Sequence, residues 1–399
     1  MKKLKYIIVP IVIGVTFAFS LNWFLEKEVM RMLSNNDLNP VLFNADSVVK
    51  NKGYFANNFL SNKDNILMFG SSELSHSTRQ HPDYYFNTGK IENGIVTIGK
   101  AYTQDLQHST VLGSLDNPSK KVVLLLSMQW FMDKGGVTDS HFQGRFSPVQ
   151  FYRFMDNKKI SDETKMLYAK RVTTLLKSSN EFQAERQYAL DYMKKRNNVV
   201  FEPYYSFKKF MVNLKDKGLL YKELLMTSQR RNKDSLAGKY FDWKFERKRA
   251  YDDAIKRVGK KDHILGGKKL YIDKGYYKKN LFGKDKFFLN KYKDVDLTKS
   301  VEYEDLDIFL KTCRDLKIKP IVILTPSMDE FYSYTGITTE KREAYYEKVR
   351  DISKSYGISL MDLTQYDKSK FYLRDVMHIG TLGWVDICER LYNVFEGKN

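Results

Sequence analysis

The sequence predicts an α/β fold: a parallel sheet with helices on both faces, interrupted by a helical insertion at about residues 150–300 and preceded by a transmembrane helix. Three patterns carry this expectation. Short apolar runs bounded by Gly, Ser or Asn alternate with helical periodicity toward both ends of the chain, the middle has almost no strand-like run, and a basic start leads into a long apolar segment. With 399 residues, 42% of them hydrophobic and 29% charged, the chain can bury a large core and is not a disordered tail.

Lys2, Lys3 and Lys5 precede an apolar stretch from Tyr6 to Leu25, broken only by Pro10, Gly14, Thr16, Ser20 and Asn22. That matches the roughly 20 residues needed to cross a bilayer. Ala18-Phe19-Ser20 could serve as the cleavage site of a secretory signal. An uncleaved anchor over residues 1–29 is the expectation, because the apolar run continues through Leu21, Trp23, Phe24 and Leu25, with Trp23 where interfacial aromatics belong. Basic residues before the span and Glu26 after it put the N-terminus in the cytoplasm and residues 30–399 outside the cell.

Five runs read as strands: Asn65–Phe69, Ile95–Ile98, Val122–Leu126, Ile321–Leu324 and Ile358–Met361. Being short and continuously apolar, they suit a parallel sheet buried on both faces. Val301–Leu316, Arg342–Tyr356 and Leu382–Phe395 repeat apolar residues at three and four and read as helices, the last with Thr381 as its N-cap. Alternation of this kind gives a doubly wound sheet with right-handed crossovers, and places the site at the carboxyl ends of the strands.

The middle reads as helices at Asp162–Leu176, Phe182–Met193 and Tyr205–Leu225. It is rich in rings (Tyr204, Tyr205, Phe207, Phe210, Tyr240, Phe241, Trp243, Tyr276, Tyr277), most of which core packing accounts for. The net charge is +19, and residues 151–300 hold 38 Lys and Arg against 19 Asp and Glu, while the remainder holds 29 of each. Such a surface suits an anionic partner: acidic lipid headgroups or a polyphosphate wall polymer, with nucleic acid least fitting for an exported chain. Cys313 and Cys388 read as two separate buried thiols, and with the six histidines they form no ligand-type spacing, so neither metal nor cofactor is expected.

Two short motifs carry chemistry. In Gly70-Ser71-Ser72 the glycine permits a tight turn after a strand, leaving a serine hydroxyl exposed; Ser72 fits the Gly-x-Ser register better than Ser71. In Asp375-Val-Met-His378 one loop carries a carboxylate and a histidine, the pair that can take a serine proton and hold the imidazole in one tautomer. Each motif alone is weak, and their position at the ends of one α/β domain joins them. Gly99 and Gln129, each just after a strand, are the candidate oxyanion donors. His108 reads as a hydrogen-bonded helix histidine, and His76 and His81 lack a carboxylate at matching spacing.

Serine early and Asp-x-x-His late is the order of an SGNH-type hydrolase or acyltransferase, a flavodoxin-like sheet. Phe69-Gly-Ser-Ser-Glu-Leu74, Ser127-Met-Gln-Trp-Phe131 and Asp375-Val-Met-His-Ile-Gly380 with Gly383-Trp384, behind an N-terminal anchor, resemble the DltD family of teichoic acid D-alanylation in Gram-positive bacteria. Met128 departs from the proline of the Ser-Pro-Gln-Trp-Phe form, which should alter the turn but not the amide. The resemblance implies an SGNH-like domain outside the membrane with Ser72 as nucleophile, His378 as base and Asp375 as its orienter, and Gly99 and Gln129 near the oxyanion. It implies as partners a membrane-bound O-acyltransferase, a small membrane peptide, a D-alanyl carrier protein and the polyglycerol-phosphate chain of lipoteichoic acid. Two other readings stand beside it: an SGNH esterase acting on a wall glycan or lipid, and a non-catalytic anchored module that binds lipoteichoic acid or the carrier.

Overall fold

A computed structural model describes residues 2–35, 38–42, 44–61, 65–75, 78–87, 94–195, 202–227 and 241–397; His76 and Tyr240 lie outside them. The first helix, α1 (Lys2–Asn35), exposes apolar side chains from Tyr6 to Phe24 and buries Leu25, Val29, Met32 and Leu33 in the core. It is long and apolar enough to cross a membrane, and fits a single-pass anchor. A short helix, α2 (Val48–Lys52), capped by the Ser47 hydroxyl, precedes the sheet.

Strands β1 (Ile66–Phe69), β2 (Ile95–Ile98) and β3 (Val122–Leu126) are buried at every position, which requires cover on both faces. Helix α3 (Asp105–Ser114) links β2 to β3. Beyond β3 come α4 (Pro148–Asp156), α5 (Asp162–Leu175), α6 (Gln183–Met193), α7 (Glu202–Thr227) and α8 (Trp243–Val258). An antiparallel hairpin of β4 (His263–Leu265) and β5 (Lys268–Leu270) follows. The sequence reading had no strand here. The strands are three residues long, too short for an alternation pattern, and Gly266 and Gly267 supply the positive-φ turn that makes them.

Helix α9 (Glu302–Asp315) returns the chain to β6 (Ile321–Leu324), and α10 (Thr339–Tyr356) leads to β7 (Ser359–Asp362). The five long-range strands are all parallel, in the order β2-β1-β3-β6-β7, with helices flanking them. This is the doubly wound order whose switch point lies between β1 and β3, at the carboxyl edge. Helix α11 (Thr381–Phe395) closes the chain. Gly380, not Thr381, takes its flanking position; the Thr381 hydroxyl donates instead to the Ala250 carbonyl at 2.7 Å, tying α11 to α8. Cys313 and Cys388 are both buried and free.

Helix α7 runs beside α1 in the same direction. Phe19 packs on Phe210 (ring centroids 5.1 Å), Phe24 on Tyr221 (5.9 Å), and Lys217 bonds Asn22 (3.0 Å) and Glu26. Next to Lys217, the Asp216 carboxylate accepts the N–H groups of Tyr54 and Phe55 at 2.9 and 3.1 Å, joining α7 to the segment that precedes β1.

Candidate active site

The end of β1 is pinned before the serine is reached. The Gly70 carbonyl meets His108 Nε2 at 2.9 Å, and the next N–H, from Ser71, donates to Glu73 Oε2 at 2.9 Å, so the peptide between them is held at both ends. His108 is wholly buried among Phe69, Trp130 and Phe309, with Asp105 at 3.7 Å from Nδ1. The ends of β1 and β2 touch so closely that a Cβ on Gly99 would stand 2.2 Å from the Gly70 oxygen. Only glycine fits there.

This clamp separates the two serines. The Ser71 hydroxyl donates to the Lys100 carbonyl at 3.1 Å, whereas Ser72, which opens a single helical turn (Ser72–Ser75), places Oγ 2.8 Å from His378 Nε2. As the first residue of that turn, Ser72 carries one of the N–H groups that a helix cannot satisfy internally. Those two groups are what an acyl-transfer nucleophile needs: an activated hydroxyl and a free donor beside it.

His378 arrives on the loop between β7 and α11. The loop is folded back by Arg374 N–H to the His378 carbonyl (2.9 Å) and Gly380 N–H to the Tyr372 carbonyl (2.7 Å). Asp375 Oδ1 accepts the backbone N–H groups of Met377 and His378 at 3.0 and 2.9 Å, and Oδ2 lies 2.8 Å from His378 Nδ1. A carboxylate there fixes the proton on Nδ1 and leaves Nε2 to accept from Ser72. Burial favours the neutral form of Asp375, but the hydrogen bond and charge of His378 and the two backbone donors outweigh it and hold the pKa below the usual value. Burial likewise disfavours the imidazolium of His378, and the Asp375 bond and charge outweigh it, raising the pKa. Arg374 also reaches the segment after the hairpin, pairing with Asp273 at 2.7 Å.

The two oxyanion candidates are placed differently. The Gly99 N–H donates to Asn51 Oδ1 at 3.2 Å and is therefore engaged. Gln129 stands in the turn after β3, its Oε1 accepting from Ser127 and its Nε2 donating to the Tyr332 hydroxyl at 2.5 Å. An amide nitrogen has a second N–H to offer. Burial raises the Tyr332 pKa, the hydrogen bond from Gln129 opposes the rise, and the Asp375 charge adds to it. Ser72, His378 and Asp375 thus form one hydrogen-bonded line, with Gln129 held by Tyr332 and Gly99 turned to Asn51. Sequence reasoning did not find Tyr332 or Asn51, whose partners lie 203 and 48 residues away. His81, at the head of a short helix, accepts from Asp83 N–H and packs on Trp384, away from the serine's bonds. Among the described residues no group of His, Cys, Asp and Glu could hold a metal ion.

Comparison with known proteins agrees across nearly the whole chain. The family model described as DltD protein matches residues 43–396. The chain is similar to Protein DltD of Bacillus subtilis (strain 168), 27% identical over 343 residues, covering 83% of this chain and 82% of that one. It is also similar to Protein DltD of Staphylococcus aureus (strain NCTC 8325 / PS 47), 24% identical over 83% of this chain and 81% of the relative. Protein DltD of Lacticaseibacillus rhamnosus matches at 24% over 84% of this chain and 78% of its own length. With that match superimposed on a doubly wound sheet and an apolar N-terminal helix, the chain belongs to the DltD family, proteins of teichoic acid D-alanylation.

Proposed function

We propose that the protein transfers D-alanine as an ester onto the glycerol-phosphate chain of lipoteichoic acid, using Ser72, His378 and Asp375. The observation that carries this reading is the line from Ser72 Oγ through His378 to Asp375 at 2.8 and 2.8 Å, on the carboxyl edge of the sheet. Ser72 Oγ gives its proton to His378 Nε2 and attacks the carbonyl carbon of a D-alanyl donor. The tetrahedral oxyanion is met by the Ser72 N–H and the Gln129 amide, and the donor's leaving group takes the proton from His378. A glycerol hydroxyl then loses its proton to His378 and attacks the acyl-Ser72 carbonyl, and Ser72 leaves with that proton. Asp375 stabilises the imidazolium in both steps.

In this reading residues 1–29 anchor the chain, with the N-terminus in the cytoplasm, and residues 30–399 work outside. The acyl group comes through a membrane-bound O-acyltransferase and a small membrane peptide, supplied by a cytoplasmic D-alanyl carrier protein. The test is the D-alanine ester content of envelopes from a deletion strain complemented with wild type or Ser72→Ala at matched membrane abundance. The expected result is that Ser72→Ala restores no more ester than empty vector. Full restoration would remove Ser72 as nucleophile, and free D-alanine released in place of ester would turn the reading to hydrolysis.

A further inference from the structure

A cavity of about 240 Å³ is walled by α2, the loop after β2, α3 and the start of α4. That is far more than the roughly 10–15 Å³ a single water needs. Its wall carries Lys52, Lys100 and Arg145 against one carboxylate, Asp46, which pairs with Lys100 at 2.6 Å. Two bonds join it to the site already described: Asn51, in the wall, holds the Gly99 N–H, and the Lys100 carbonyl accepts the Ser71 hydroxyl.

The wall is built with more positive charge than it neutralises. Among the described residues Lys52 has no ion-pair partner, and burial first, then the charges of Arg145, Lys215 and Lys100, lower its pKa, with Glu181 opposing. Like charges gathered in a partly desolvated wall repel unless an anion sits between them. Gln107 also lines the cavity and is buried, and among the described residues its Nε2 has no acceptor. Helix α4 closes the wall: the Ser147 hydroxyl caps the Gln150 N–H and donates to the Lys52 carbonyl at 2.6 Å, which fixes the backbone that carries Lys52.

We propose that this cavity is a phosphate site that holds a phosphodiester of the acceptor chain while a neighbouring glycerol hydroxyl reaches acyl-Ser72. The inference rests on the acceptor named above, and gives the site a means of preferring a polymer hydroxyl over water: water carries no phosphate to be held. Lys52, Lys100 and Arg145 supply the charge, and Asn51 couples the cavity wall to the end of β2.

The experiment uses the full chain carrying Ser72→Ala in phosphatidylcholine nanodiscs, titrated calorimetrically with a short glycerol-phosphate oligomer. Lys52→Gln should weaken binding by about tenfold or more, the loss expected of one charge-assisted contact. Lys52→Arg should restore it, which separates lost charge from lost folding. Lys158→Gln removes the same charge from an exposed position and should leave the affinity within about twofold, as screened surface charges do. Equal binding by wild type and Lys52→Gln overturns the proposal. So does inorganic phosphate binding as tightly as the oligomer, or phosphatidylglycerol nanodiscs abolishing oligomer binding, which would assign the cavity to free phosphate or to a lipid headgroup. Binding is read without turnover, so a failed serine mechanism leaves this result to stand or fall alone.

Discussion

In the proposed mechanism Ser72 is activated by His378, whose basicity the neighbouring Asp375 raises. The imidazole must be neutral to take a proton, so transfer should fall as pH drops through the raised His378 pKa. Asp375→Asn removes the raising influence and leaves burial, so the acid limb of the pH–rate profile should move to lower pH. The rate should also fall by roughly ten-thousandfold, because the amide no longer selects the Nδ1–H tautomer. An acid limb that stays in place would assign the titration to another group. Gln129→Ala should cost about 100- to 1000-fold in transfer rate if its amide meets the oxyanion, and near-normal turnover would leave that role to the Ser72 N–H alone. The meeting of Ser72, His378 and Asp375 was legible in the sequence because each motif is local: a glycine turn, and a loop in which one carboxylate caps its own backbone. The bonds that hold Gln129 and Gly99 were not, since Tyr332 and Asn51 reach them only through the fold.

Among the elements, the pair β1 and β2 matters most, because their ends are closer than any side chain allows. Gly99→Ala would set a Cβ against the Gly70 carbonyl, a backbone atom that cannot swing away. Overpacking of this kind costs about 1–3 kcal/mol. The melting midpoint should drop by roughly 1–2 °C for each kcal/mol, with transfer activity falling as the turn carrying Ser72 shifts. An unchanged midpoint and rate would mean that the strand ends separate freely. The five sheet strands were readable in sequence within a residue or so, because strands buried on both faces are continuous apolar runs. The hairpin β4–β5 was not, because positions 263–265 and 268–270 mix His, Lys, Leu and Ile without a run or an alternation long enough to mark a strand. The helix pattern over 301–316 and 342–356 survived almost unchanged as α9 and α10, each burying one face.

Across the whole molecule, a set of buried carboxyls other than Asp375 binds protons more tightly than the unfolded chain does. Burial raises Asp216 and Asp367 to about 6 and Asp305 to about 7, and it raises Asp105 and Glu302 as well. Asp305 is partly offset by Arg171, 2.9 Å away. The native state therefore holds more protons than the unfolded state between the ordinary carboxyl range and neutrality, and stability falls as pH rises through that window. His378, also raised, adds in the same direction, and His263, lowered by burial, works against it. Thermal unfolding should show a higher midpoint near pH 5 than near pH 7.5. A midpoint that climbs steadily to neutrality would mean that these acids are ionised in the native state at little cost.

Helix α1 is bound to α7 between Phe19 and Glu26, so it is not a leash from which the rest of the molecule hangs. With α1 set in a bilayer, Ser72 would sit at a constant altitude, like a tool bolted to a post. A hydroxyl far out along a polymer cannot be visited by a swing of the protein, so the chain has to be reeled past that height, repeat by repeat, and how far along it the modification extends would depend on how far the polymer can bend back toward the membrane.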